Sequence, residues 1–343
     1  MSMPAVLRTT RLGLIYLLLT VGLVLPVGCQ PQKSIERVVL YCSQDREYAE
    51  DILAEFTRRT GIQIDLRADT EANKTVSLYE AIVREASQPR CDVFWCNEPI
   101  LMERLAQKNL LEQYQSPSAA DYPDWTRPSH GTWQGFASRG RVLIVNQKIP
   151  EADVPTTLEE LVQPRWQKRW AMAKPFFGTT ATHAACLWNT LGKEKAQELL
   201  GKMAASAVVL PGNKDVAVAV AEGQLDMGLT DTDDAMVMLD KKLPVRIHYL
   251  ASGTLFLPNT MGLIKNAPHP VAAKKLIDYL LSAEVELRLA RGVSAQIPLN
   301  PKVDASALPI KTPATVKAMV VDYPQVAKQW DEVQTYLRQT FKD

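Results

Sequence analysis

Histidine is scarce and metal-type spacing is missing. The 343-residue chain holds 4 histidines and 5 cysteines, and no set of them has the spacing of a structural zinc site. His183 and Cys186 stand alone as an HxxC pair on an alanine-rich stretch, where a packed histidine is the plainer reading. No GxSxG, HExxH or P-loop pattern occurs, so serine-hydrolase, zinc-protease and nucleotide-binding chemistry lack an anchor. Charge of either sign is not in excess: the net charge is +1, and nothing suggests a nucleic-acid partner. Internal repeats and low-complexity linkers are absent too. What remains is ordinary globular material, 46% hydrophobic and 22% charged, long enough for two domains.

One uncharged run departs from this pattern. Arg8 and Arg11 precede Leu12 to Gly28, a stretch of Leu, Val, Ile and Gly resembling a secretory signal and short for a membrane span. Gly28-Cys29 followed by QPQKS resembles the lipobox of bacterial lipoproteins, with Pro26 where leucine is usual and Leu25 one place early. Residues 1–28 are thus expected to be a leader, Cys29 the lipidated first residue, and 29–36 a tether to the membrane. Cleavage removes two arginines and no acid, which takes the net charge from +1 to −1. An exported protein permits a disulfide among Cys42, Cys91, Cys96 and Cys186. Cys42 and Cys96 each end a strand, so proximity is open, but their apolar surroundings favour buried free thiols.

From Glu36 onward strands alternate with helices. RVVLYC (37–42), IQIDLR (62–67) and CDVFW (91–95) read as strands, separated by helical patterns at 46–61 and 70–88. That order implies a parallel sheet covered by helices. RGRVLIVN (139–146) is a strand suited to crossing between two lobes. A second α/β unit follows with a helix-like 155–162, the strand WAMAKP (170–175), a helix at 178–200, AVVL (207–210), a helix near 214–222 and DMGLT (226–230). IHYLA and TMGLIK read as later strands. The expected division is 37–141 for one lobe, with part of 247–300 returning to it, 142–246 for the other, and 301–343 as a C-terminal helical segment.

Ligands of open parallel sheets sit beyond the carboxyl ends of the strands. Those ends are polar here: Ser43-Gln44-Asp45, Asp69-Thr70-Glu71 and Asn97-Glu98. In the second unit, GTTATH (178–183) puts Thr179, Thr180 and Thr182 at a helix start. One threonine there is a cap; three together make a candidate anion site. GLTDTDDAM (228–236) crowds Asp231, Asp233 and Asp234. Asp231 or Asp233 can cap a helix beginning at Ala235, which leaves at least one carboxylate to be solvated or functional. DTD is similar to the Asp-x-Asp of haloacid-dehalogenase-type phosphotransferases, which would make the protein a Mg-dependent cleft enzyme. Ala235 stands where that pattern wants Thr or Val. Arg139 and Arg141 suit either a structural ion pair or an anion. Trp95, Trp133 and Trp188 are expected in packing, and His130 and His269 in solvated turns.

VVLYCSQDREYAEDILAEFTRRTGIQI, CDVFW with NEPI, RGRVLIVN, TTLEELVQPRWQKRWAMA, VAEGQLDMGLTDTDDA and APHPVAAKKLIDYLLSAEVE before AQIPLNP agree in order and spacing with one family. Over about residues 36–301 the chain resembles extracellular solute-binding proteins of ABC importers, in their ferric-ion-binding branch. The resemblance implies an α/β, two-lobed periplasmic-binding-protein fold with several hinge crossings. It implies no catalysis but capture of a solute between lobes, outside the cytoplasm, by a monomer that delivers to a membrane permease. The family's iron ligands correspond to Asp45, to Asn97 or Glu98, and to Asp233 and Asp234, the last two replacing a tyrosine pair. Its anion corresponds to Gly178, Thr179, Thr180 and Asn213. Fe(III) with phosphate or carbonate is therefore the expected cargo, and a phosphonate or phosphorylated organic solute the alternative. Ligand-binding positions on this reading are Asp45, Thr70, Asn97, Glu98, Gly178, Thr179, Thr180, Asn213, Asp231, Asp233 and Asp234; the metal set is Asp45, Glu98, Asp233 and Asp234.

Overall fold

A computed structural model describes residues 35–343, apart from 45, 69–73, 294, 307 and 343. The leader, Cys29, Asp45 and Thr70 lie outside the described residues. The chain opens with β1 (Arg37–Cys42), α1 (Arg46–Thr60), β2 (Gln63–Ala68), α2 (Lys74–Arg84) and β3 (Val93–Cys96). β1 pairs in parallel with both β2 and β3, as the alternation of apolar strands with helices requires. Next come α3 (Pro99–Gln107), the short β4 (Leu111–Glu112) and β5 (Trp133–Asn146). The second unit runs α4 (Leu158–Leu161), β6 (Trp170–Ala173), α5 (Gly178–Leu191), α6 (Lys193–Ser206), β7 (Val208–Leu210), α7 (Asn213–Ala221), β8 (Met227–Asp231) and α8 (Thr232–Asp240). The chain closes with β9 (Val245–His248), β10 (Phe256–Ile264), α9 (Pro270–Leu280), α10 (Ala283–Arg291) and α11 (Tyr323–Thr340).

β5 joins the halves. It starts six residues before the expected 139 and is buried along its entire length. Its first part, to Gly140, pairs with β10, which also pairs with β3. From Arg141 onward it pairs with β8 and β9. One strand thus ends one half-sheet, β2-β1-β3-β10-β5, and begins the other, β5-β8-β6-β7. The chain returns between β9 and β10, and α11 then lies against both α3 and α5. Arg104 of α3 pairs with Asp331 at 2.7 Å, and the Tyr336 hydroxyl donates to the Gln197 carbonyl of α6 at 2.7 Å. Among the described residues no helix is long and apolar enough to cross a membrane.

The expected helix over 178–200 is two helices, because Gly192 takes φ +81° and breaks it. Gly228 in β8 is a site of close approach: a Cβ there would run into Val216 of α7. Gly228→Ala is expected to cost about 1–3 kcal/mol by overpacking. Thermal unfolding of the single variant, and of the variant that also carries Val216→Ala, checks this; an unchanged single variant refutes the tight packing.

Cys42 and Cys96 are free and buried, as their apolar surroundings favoured. The register sets Cys42 opposite Trp95, so Cys96, one residue on, points to the other face of the sheet. Cys42 faces the core under α1, and Cys96 the core under α3. One expectation changes. His130 and His269 are not merely solvated. His269 Nδ1 lies 2.9 Å from the fully buried Asp92, and His130 Nε2 lies 2.9 Å from the buried Glu103, to which Trp133 also donates. A carboxylate taken out of water needs such partners.

Candidate functional site

The antiparallel register of β5 and β8 sets Arg141 directly opposite Asp231. Arg141 has no exposed side-chain surface, and its Nη1 donates to Asp231 Oδ1 at 2.8 Å. The other Asp231 oxygen accepts from Thr179 Oγ1 at 2.6 Å and Asn213 Nδ2 at 3.1 Å. Thr179 belongs to the first turn of α5, which Gly178 (φ +63°) opens, and Asn213 is the first residue of α7. Asn213 Oδ1 in turn accepts from Arg141 at 3.0 Å and Thr180 Oγ1 at 3.2 Å. Two helix N-termini and a guanidinium therefore converge on one carboxylate, an electrostatically favourable arrangement.

Arg139, two residues earlier on the same face of β5, spans the halves. Its Nη2 donates to the Asn97 carbonyl at 3.0 Å and lies 3.6 Å from Glu98 Oε1. Its Nε lies 3.8 Å from Asp231 and 4.0 Å from Asp233. Glu98, which follows β3, also accepts from Thr182 of α5 at 2.5 Å. Asn97 donates from its backbone to Ser43 Oγ at 2.8 Å, while its own Oδ1, like Gln44 Oε1, is buried without a partner among the described residues.

Ligand oxygens of Asp231, Asp233 and Asp234 all lie within 4.8 Å of one another. Burial first, and then the neighbouring Asp231, push the Asp233 carboxyl up to about 6 against the pull of Arg139. Asp234 is pushed up further, by burial and then by Asp233 and Asp231. Burial raises Glu98 to about 7, opposed by Arg139 and Thr182. His183, on the buried side of α5, is held neutral, pushed down to about 3 by burial and then by Arg141. It is a packed residue and takes no part in a metal pair with the buried Cys186.

Of the residues expected to form a site, Asn97, Glu98, Gly178, Thr179, Thr180, Asn213, Asp231, Asp233 and Asp234 come together around Arg139 and Arg141. Their local roles differ from the sequence reading. α8 begins at Thr232, not Ala235; Asp231 holds its N-cap position without a side-chain cap bond, and the Asp234 backbone N–H donates to Asp233 Oδ1 at 3.1 Å. Thr179 and Thr180 are not caps either; Phe177 holds the cap position and the threonines are buried. Thr179 and Asn213, expected to line an anion site, direct their hydrogen bonds to Asp231. Both oxygens of Asp231 accept hydrogen bonds. The bridging of halves by Arg139 and by the Thr182–Glu98 bond had only a faint sequence signal, the clustering of arginines at 139 and 141.

Residues 91–323 match the family of bacterial extracellular solute-binding proteins. The chain is similar to the Fe(3+)-binding periplasmic protein of Serratia marcescens, 29% identical over 65% of this chain; the match spans 64% of that protein's length. It is similar to iron uptake protein A1 of Synechocystis sp., 25% identical over 81% of each. In structure it resembles iron-bound HitA from Pseudomonas aeruginosa, with a TM-score of 0.81 and 25% identity over 89% of this chain and 99% of that one.

Proposed function

We propose, from the premise that the chain belongs to the bacterial extracellular solute-binding proteins, that it captures ferric iron at Asp233 and Asp234 and hands it to an ABC-importer permease. On this reading it works outside the cytoplasm as a monomer, lipid-anchored through Cys29, and performs no chemistry on its solute. The observation that carries the reading is the charge imbalance. Four carboxyl groups, of Glu98, Asp231, Asp233 and Asp234, face two guanidinium groups, of Arg139 and Arg141. Asp231 is matched by Arg141, so Asp233 and Asp234 are left short of positive charge, in a cleft where Glu98 stands opposite. Their oxygens are hard donors, suited to a small, highly charged cation. The names of the similar iron-binding proteins support the choice of cation.

Ferric iron supplied as its nitrilotriacetate complex is expected to raise the melting temperature, since a ligand at a hundred times its Kd adds about 2.7 kcal/mol. Asp233→Asn and Asp234→Asn are each expected to weaken binding more than tenfold. If both variants respond to iron as the native chain does, the proposed site is wrong.

A further inference from the structure

Asp231 occupies a position in which an anion would be held. A buried guanidinium, a threonine hydroxyl in the first turn of a 14-residue helix and an asparagine amide at the start of a 9-residue helix all donate towards one point. Such a set is ready-made for a phosphate or carboxylate ligand. Here the protein's own carboxylate fills it. Asp231 is 4% exposed and both of its oxygens are engaged. Thr179 Oγ1 also accepts from Asn213 Nδ2 at 2.8 Å, and Asn213 Oδ1 takes Thr180. The side-chain donors that meet at Asp231 are thus spent within the network; Arg141 Nε has no partner among the described residues, but it is buried. A phosphate brought there would meet the Asp231 charge at close range.

We infer that Asp231 is a built-in anion that closes this half of the cleft to phosphate-bearing solutes and lets the other half bind a cation with no exogenous anion beside it. The inference deepens the proposed function and rests on it for the identity of the cation; the exclusion of phosphate stands on the hydrogen-bond network alone. Solutes that present a phosphonate or phosphate group to α5 and α7 are thereby disfavoured, and solutes that present positive charge to Asp233 and Asp234 are favoured.

Inorganic phosphate without metal is the direct probe. The native chain is expected to show no saturable thermal stabilisation by phosphate or methylphosphonate, whereas Asp231→Ala, which empties the set, gains a saturable response to phosphate and to formate. Asp231→Asn keeps the shape and one acceptor but drops the charge, and its response falls between the two. It also serves where Asp231→Ala does not fold. Saturable phosphate binding by the native chain, or a folded Asp231→Ala and Asp231→Asn that both ignore phosphate, overturns the inference. In a second arm, ferric affinity of the native chain is expected to change less than twofold when phosphate or carbonate is added, and a tenfold gain overturns the inference. Failure of the native chain to bind iron under any condition removes the proposed function and leaves the phosphate result to decide this point.

Discussion

Arg141→Met lowers the melting temperature by roughly 5–8 °C, the largest loss expected from any single change in the cleft. Removing one partner of a buried ion pair costs about 3–5 kcal/mol because the remaining charge is stranded. In a chain of this size, at about 2.1 cal/mol/K of unfolding entropy per residue, each kcal/mol is worth about 1.5 °C. Among the described residues Arg141 supplies the hydrogen bond to Asp231 Oδ1, and it also holds Asn213. Arg139, 3.8 Å from the other oxygen, softens the loss without replacing the hydrogen bond. Combining Arg141→Met with Asp231→Asn should recover a good part of it, since the pair is then neutral on both sides. Thermal unfolding of the two single variants and the double variant measures this coupling. A single variant within about 1 °C of the native chain, by the same scale of about 1.5 °C per kcal/mol, would mean that the pair contributes little.

The second large effect is a dependence of stability on pH. The carboxyls of Glu98 and Asp233 titrate at about 7 and about 6 in the folded chain, above their ordinary values of 4.5 and 3.8, and Asp234 is raised as well. At these three carboxyls the folded chain therefore holds more protons than the unfolded one between about pH 4 and 7, and their contribution to stability falls as pH rises through that window. His183, at about 3 when folded against 6.5 ordinarily, pulls the other way below 6.5. The difference between the native chain and Asp234→Asn cancels that histidine. Without metal, Asp234→Asn is expected to be the more stable of the two at pH 8, and the gap closes as pH falls towards the ordinary Asp value of 3.8. Ferric iron reverses the order at pH 8, because a cation competes with protons for the same oxygens. Melting curves across this range with and without iron provide the check; a metal-free gap that does not vary with pH would rule the carboxyl cluster out as its source.

Much of this was legible from residue patterns, for a definite reason. Alternating strands and helices put polar strand ends at one edge of a parallel sheet, so Asn97, Glu98, Thr179, Asn213 and Asp231 had to gather near one cleft. The role of Asp231 was not legible. It depends on the antiparallel register that sets Arg141 opposite it, 90 residues away in sequence. Local pattern instead made Asp231 a helix cap and the threonines an anion site, because a side chain's nearest backbone is all that short spacing reveals. The bond from Thr182 to Glu98 depends on how the two halves face each other, which no periodicity encodes.

The free thiols have a practical consequence. Cys42, Cys91, Cys96 and Cys186 are each no more than 1% exposed, and burial pushes every one of them above the ordinary thiol range. The thiolate is the reactive form, so these four sulfurs are shielded from alkylating reagents while the chain is folded, and each becomes a clock for the opening of its own neighbourhood. Cys42 lies beneath α1, and Cys186 on α5 beneath α11. Comparing their labelling rates times the opening of the two halves separately, in the native sequence and without any introduced probe.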